Sequence, residues 1–385
     1  MKFVIIFVLK IDYKTWEVML IKFAVTNFRG FAERIEWDLS NPSNYGFSTY
    51  AIKNNTIKNG IIYGPNGSGK TNFGLAIFDI EYHLSQKWKK PDFLENYIYA
   101  GRVDGLVEFE YTFKFDSYLI HYCYSKNAQG LLVREILRVN GLLVFEKLEE
   151  SFYIDDNSFP MEDTIKSNFK GNVNNVSVIN FLLSSYPVDA SHYLIKLRDF
   201  VDSMLWFRNL DVREFIGLET SVTRLEEYII SQNLVSDFAN FLKEVSDQEF
   251  ELTPDESGKQ LLCRIGNTLI HFQLIASTGT RSLQLLYFWI QRMVKEASFV
   301  FIDEFDAFYH YKLSYEVCQR LFNLDCQVFM SSHNTYLMTN DLLRPDCNFI
   351  LANGHIKPLS ACTDKELRFG HNIEKIYRAG AFYEE

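Results

Sequence analysis

This chain has no membrane span, no disulfide framework and no excess of positive charge. No apolar run approaches the roughly 20 residues a bilayer demands. The opening stretch, Met1 to Leu9, is too short, and Lys10, Asp12 and Lys14 follow where a small-residue cleavage site would stand. Six cysteines stand at 123, 263, 318, 326, 347 and 362, none in a C-x-x-C pair or beside histidines at zinc spacing. They read as buried free thiols of a reducing, cytoplasmic compartment. The formal net charge is −10, whereas a nonspecific nucleic-acid clamp shows a basic surface. That balance argues against DNA as a partner while leaving room for a local basic groove. Low-complexity tracts and sustained heptads are missing too, which predicts a folded globular chain and argues against a long coiled-coil arm.

What is present is a globular composition: 385 residues, 47% of them hydrophobic and 23% charged. That supports a large core and either one big domain or two modest ones. A second methionine, Met19, precedes Leu20-Ile21-Lys22-Phe23-Ala24-Val25, which reads as a first strand. Residues 1–18 are expected to be an upstream extension, with an edge strand or oligomerisation arm as the competing reading.

Period-2 alternation at Val107, Phe109, Tyr111, Phe113 and Phe115, and a hairpin signal at Asn140-Gly141, predict an antiparallel β lobe over about 105–150. Gly266-Asn267 marks another hairpin. Residues from about 189 to 247 are expected to be a mostly helical insertion. Short apolar runs at Phe299–Ile302, Gln327–Met330 and Asn348–Leu351, separated by helical stretches, predict a parallel sheet. The run Gly60-Ile61-Ile62-Tyr63 should share it, followed by a helix from Thr71 to about Gln86.

The most specific motif is Gly64-Pro65-Asn66-Gly67-Ser68-Gly69-Lys70-Thr71, which fits G-x-x-x-x-G-K-[ST]. Glycines let the backbone wrap phosphate oxygens, and the following helix aims its positive end at the same charge. Lys70 would reach the β- and γ-phosphates and the Thr71 hydroxyl would ligate Mg²⁺. An ordinary Gly-rich turn would lack the flanking strand and helix. A second motif, Ser298-Phe299-Val300-Phe301-Ile302-Asp303-Glu304, delivers carboxylates to a strand end. There Asp303 would hold Mg²⁺ and Glu304 would orient the attacking water. Alone it would be a common apolar strand; beside a phosphate loop it becomes the leading Walker B candidate. Ser277-Thr278-Gly279-Thr280-Arg281 opens a long helix and offers either an anion site or a plain N-cap. Ser331-Ser332-His333-Asn334 places a histidine at a strand end, where it can meet a γ-phosphate.

These four segments, in this order, resemble the ABC ATPase superfamily, and within it the branch of SMC, RecF and OLD proteins. The resemblance extends to stand-alone RloA-like ATPases of bacterial anti-phage loci through three stretches: Leu20–Phe31, Ser277–Thr280, and Arg368–Tyr377 with Gly380-Ala381-Phe382. It implies an α/β, ABC ATPase-type P-loop nucleotide-binding domain over 19–385, with ATP and Mg²⁺ as cofactors. It also implies that Ser277 and Gly279 bind the γ-phosphate of ATP held by another subunit, that His333 is the switch histidine, and that Arg29 lies near the base and α-phosphate. Asp306 and His310 would lie in a loop crossing the interface. A Q-loop glutamine has no clear position.

The expected activity is ATP hydrolysis in a homodimer or higher homo-oligomer joined through nucleotide, with Lys70, Glu304 and His333 as the catalytic set. The neighbourhood of the resemblance suggests a sensor or scaffold subunit of an anti-phage system. Only 52 residues follow His333, too few for the TOPRIM nuclease domain of OLD proteins, so a separately encoded nuclease or toxin is the expected effector. The alternative is a RecF- or SMC-like DNA-repair ATPase, which predicts DNA-stimulated hydrolysis. A transporter subunit would need a membrane partner and a clear Q-loop.

Overall fold

A computed structural model describes residues 18–85, 91–115, 117–170, 176–208, 214–218, 224–307 and 309–382. The expected extension, apart from Val18, lies outside the described residues.

Two seven-stranded sheets form the body. The central sheet runs Glu214–Gly217, Leu205–Arg208, Phe299–Asp303, Gln327–Ser331, Asn59–Tyr63, Asn348–Ala352, His355–Pro358. Its five inner strands are parallel, and each edge strand is antiparallel to its neighbour. Parallel strands covered on both faces read as continuous apolar runs, and the strands Asn59–Tyr63, Phe299–Asp303 and Gln327–Ser331 are buried at every position. The P-loop strand therefore sits in one sheet with the strands of the C-terminal part, as the sequence pattern requires.

The second sheet is antiparallel, in the order Phe152–Ile154, Leu142–Lys147, Leu132–Val139, Tyr118–Lys126, Val107–Phe115, Met19–Thr26, Ile35–Asp38. Val107, Phe109, Tyr111, Phe113 and Phe115 all point into the core, and the Asn140-Gly141 turn joins its two flanking strands at positive φ. The helix after the P-loop lies between the sheets. Phe73 on that helix meets Phe23, Phe31 and Trp37, while Trp37 reaches Phe329 and Phe349 of the central sheet. Gln327, 2% exposed, locks the layers together: its amide pairs with both the N–H and the carbonyl of Leu20 and also donates to the Ile57 carbonyl. Both ends of this buried amide are satisfied, as burial demands.

Two expectations need refinement. The segment 189–247 is helical at most of its described residues but also contributes to the central sheet. Helices at Tyr193–Asp202, Leu225–Ser231 and Val235–Ser246 bracket a strand pair, Leu205–Arg208 and Glu214–Gly217, which extends the central sheet beside the Asp303 strand. Leu205, Trp206 and Phe207 are all buried, so these successive positions show no alternation. The helix read from Thr71 to Gln86 is broken at Phe78 into Lys70–Ile77 and Asp79–Leu84, and Gln86 lies outside the described residues.

The break places Asp79, 1% exposed, beneath the β lobe. It accepts from Tyr97 and Tyr124 and pairs with Lys126 at 2.5 Å. A carboxylate this deep needs both the countercharge and the hydroxyls. The pair ties the P-loop helix unit to the strand Tyr118–Lys126. No helix among the described residues is long and apolar enough to cross a membrane.

Candidate nucleotide-binding site

The P-loop strand ends at Tyr63, and the chain turns through residues 64–69 into the helix Lys70–Ile77. Gly67 and Gly69 have φ of 79° and 97°, a region that glycine enters without penalty. Gly64 is constrained by space: a Cβ there would stand 2.3 Å from the Leu351 carbonyl oxygen and 2.6 Å from Ser68 Oγ. At Gly69 the obstacle is the Phe31 ring at 2.9 Å. Pro65, Asn66 and Gly67 form the exposed rim, whereas Lys70 is buried. Its Nζ donates to the Gly64 and Pro65 carbonyls at 2.9 and 3.2 Å. Burial pulls the Lys70 pKa below the ordinary lysine value, opposed by the charges of Asp303 and Glu304.

Asp303, fully buried at the end of its strand, accepts from Thr71 Oγ1 at 2.6 Å and from Ser331 Oγ at 2.5 Å. Three neighbouring structural units thus meet at one carboxylate: the P-loop helix, the Asp303 strand and the adjacent strand Gln327–Ser331. Glu304 follows at φ 50°, a left-handed conformation unusual for a side-chain-bearing residue. Its N–H donates to Ser331 Oγ at 2.8 Å. Ser331 therefore fixes both members of the Asp-Glu pair.

His333 is exposed next to this cluster. Its pKa is lowered, first by partial burial and then by the Lys70 charge, with Glu304, Asp306 and Asp303 acting in opposition. Those interactions place the imidazole within electrostatic reach of both the loop lysine and the carboxylates. Asp306 accepts from Ser332 Oγ at 2.7 Å, and burial raises its pKa. His310 stands at the N-cap position of the helix Tyr311–Phe322, with no side-chain hydrogen bond to it.

The Arg29 side chain is anchored within the protein. Its Nη2 donates to the Phe93 carbonyl at 2.9 Å, and its guanidinium lies over the Phe28 and Phe93 rings. The same turn reaches the P-loop through Phe31, whose ring stands against Gly69. Ser277 caps the helix Thr278–Glu296, accepting from the Thr280 N–H at 3.1 Å, and Thr280 Oγ1 donates to Gln248. Within one chain the Ser277 side chain engages this helix start and not residues 64–71. The structure therefore unites Lys70, Thr71, Asp303, Glu304 and His333, and leaves Ser277 and Gly279 on a separate surface.

Sequence reasoning named Ser331 and Phe31 within their motifs but gave neither a role in the site. A serine closing an apolar strand beside the Asp-Glu strand was the available signal for the first; nothing in the local pattern marks the second. The cysteine reading also needs refinement, since Cys123 and Cys362 are only partly buried. Cys123, His121 and Glu110 bring ligand-type atoms within 4.8 Å of one another on adjacent strands of the β lobe. Glu110 there is already bidentate to Arg34.

The hard-oxygen donors Thr71 Oγ1 and Asp303 Oδ2, side by side, suit Mg²⁺. Ser68 Oγ, buried without a hydrogen-bond partner, and the loop that excludes a Cβ at Gly64 suit an anion wrapped by backbone. Parallel central sheet, phosphate loop, flanking antiparallel lobe and strand-end carboxylate define the class: an ABC-type P-loop nucleotide-binding domain.

Three comparisons with known proteins were made. The family model described as "AAA domain, putative AbiEii toxin, Type IV TA system" matches residues 150–339, just under half of the chain. The matched span holds Ser277, Asp303, Glu304 and His333 but not the phosphate loop. Among solved structures, the SMC head domain from Thermotoga maritima is 18% identical with a TM-score of 0.44, covering 88% of this chain and 98% of that one. An SMC head bound to the C-winged helix domain of ScpA gives 15% identity and 0.43, covering 88% and 96%. An SMC head with an extended coiled coil, bound to the C-terminal domain of ScpA derived from Pyrococcus furiosus, gives 14% and 0.43, covering 88% and 95%. No curated protein matches the chain.

Proposed function

We propose that the chain binds ATP with Mg²⁺ on the 64–71 loop, hydrolyses it to ADP and phosphate, and closes as a dimer on two ATP molecules. The observation that carries this reading is the 2.6 Å contact between Thr71 Oγ1 and Asp303 Oδ2, which brings loop and carboxylate strand to one point. Lys70 leaves the Gly64 and Pro65 carbonyls and binds β- and γ-phosphate oxygens. Thr71 and Asp303 are the residues that would hold Mg²⁺, whose charge would offset that of the transferring phosphoryl group. Glu304 orients the attacking water and takes its proton. The imidazole of His333 donates an N–H to the γ-phosphate. Ser277 and Gly279 of a second copy close the site from the opposite side, which accounts for their separation from the loop within one chain.

At the level of biology, the proposed role is a cytoplasmic sensor or scaffold subunit of a bacterial anti-phage system, acting with a separately encoded nuclease or toxin. Support comes from the resemblance and from the matched family description, which names a toxin–antitoxin system. That same description favours a second reading, in which the chain is itself the toxin half of a two-component system. Expression of the chain alone, with cell growth as the readout, separates the two: a sensor is harmless without its effector and a toxin is not. For the chemistry, Glu304→Gln should lower ATP turnover by at least about 100-fold while ATP still produces a dimer by light scattering. Intact turnover would overturn the site. Strong stimulation of hydrolysis by DNA would favour the RecF- or SMC-like alternative.

A further inference from the structure

A cleft of about 900 Å³ opens along the flank of the helix Thr278–Glu296, away from the phosphate loop. Its size lies at the upper end of ordinary small-molecule sites. Arg224, Lys259 and Arg281 line it, all exposed, and none pairs with a carboxylate among the described residues. Three unpaired cations gathered in one concavity are notable on a chain whose net charge is −10. The lining carboxylate, Glu226, is already engaged: it accepts from the Leu261 N–H at 2.7 Å and from Gln273 Nε2 at 2.6 Å. Gln273 Nε2 donates to Gln284 Oε1 as well. This leaves the other end of the Gln284 amide, Nε2, buried in the cleft lining with no hydrogen-bond partner. Gln284 is only 2% exposed, and a buried donor without an acceptor costs about 1–3 kcal/mol. Leu274, 77% exposed, supplies an apolar wall on the same cleft.

We infer that this cleft binds a phosphate-bearing ligand of nucleotide size. The cations meet the phosphate, the Gln284 amide donates to a carbonyl or ring nitrogen, and Leu274 covers one face of a base. No residue of 64–71 lines the cleft; Thr278 and Arg281 of the lining belong to the helix start that carries Ser277 and Gly279, so the test reads the response at Arg224 and Lys259, which lie outside that motif. A free nucleotide and the 5′-terminal nucleotide of a single strand share this chemistry, so both are tested. The full chain carrying Lys70→Ala, which disables the phosphate loop, is titrated calorimetrically with the four ribonucleoside 5′-monophosphates and with a 5′-phosphorylated single-stranded tetranucleotide. One-to-one binding of at least one probe is expected. Adding Arg224→Glu or Lys259→Glu should weaken it at least tenfold, while Arg34→Glu on the β lobe leaves it unchanged. A mononucleotide response identifies a free ligand, and a tetranucleotide-only response identifies a strand end. No binding by any probe, or binding insensitive to both cleft reversals in variants whose circular dichroism matches the parent, would overturn the inference.

Discussion

Replacing Gly64 and Gly67 separately by alanine distinguishes a loop held by space from one held by backbone conformation. At Gly64 the added methyl would lie 2.3 Å from the Leu351 carbonyl oxygen, about 1 Å inside normal contact. That carbonyl cannot retreat easily, because Leu351 belongs to the strand Asn348–Ala352, paired on one side with the P-loop strand and on the other with His355–Pro358. Overpacking of this kind costs about 1–3 kcal/mol, and the rigid neighbour argues for the upper end. At Gly67 a methyl meets nothing within 4 Å, and only the positive φ is penalised, by about 1 kcal/mol. With a urea dependence of about 3 kcal/mol per molar, Gly64→Ala should lower the unfolding midpoint by about 1 M and Gly67→Ala by about 0.3 M. Gly64→Ala should also abolish binding of a fluorescent ATP analogue, because the displaced loop no longer surrounds the phosphates. Equal midpoints for the two variants, or unchanged analogue binding by Gly64→Ala, would refute the geometric argument.

Three further outcomes are expected. Lys126→Met leaves Asp79 charged and buried without its cation, which should destabilise the fold by about 3–5 kcal/mol; a urea midpoint near that of the parent would show the pair to be dispensable. Ser331→Ala removes the hydroxyl shared by Asp303 and the Glu304 N–H, costing about 2 kcal/mol of stability and lowering ATP turnover, and the idea fails if both stay at parental values. Lys70→Ala deletes a positive charge that holds the His333 pKa down, so the His333 ring should titrate at higher pH. NMR of the histidine rings, assigned with His333→Gln, reads the direction, and a downward or absent shift contradicts their proximity.

Much of the site could be read from the chain because its parts are local: residues 64–71 are contiguous, and Asp303 and Glu304 close a visible apolar strand. The parallel sheet was legible for the same reason, through fully apolar runs ending in polar residues. The strand Leu205–Arg208 was hidden because burial on both faces removes the alternation that separates strand from helix. The Asp79 cluster was hidden because Asp79, Tyr97 and the strand that carries both Tyr124 and Lys126 are three separate segments that meet only after the helix breaks at Phe78. Arg29 is a different case: the motif implies a nucleotide contact, and the structure adds that the Phe93 carbonyl and two aromatic rings hold its guanidinium, which no local pattern signals.

The composite site can be tested by mixing two inactive chains. Lys70→Ala removes the phosphate-loop half of each site, and Ser277→Arg blocks the half contributed by the second copy. Each variant alone should lack ATP turnover. Mixed in equal amounts, they form heterodimers with one intact site, and turnover should return to a substantial fraction of the parental rate. If the mixture stays inactive while both variants remain folded, or if either variant alone keeps parental turnover, two copies of the chain do not share a triphosphate between residues 64–71 of one and Ser277 of the other.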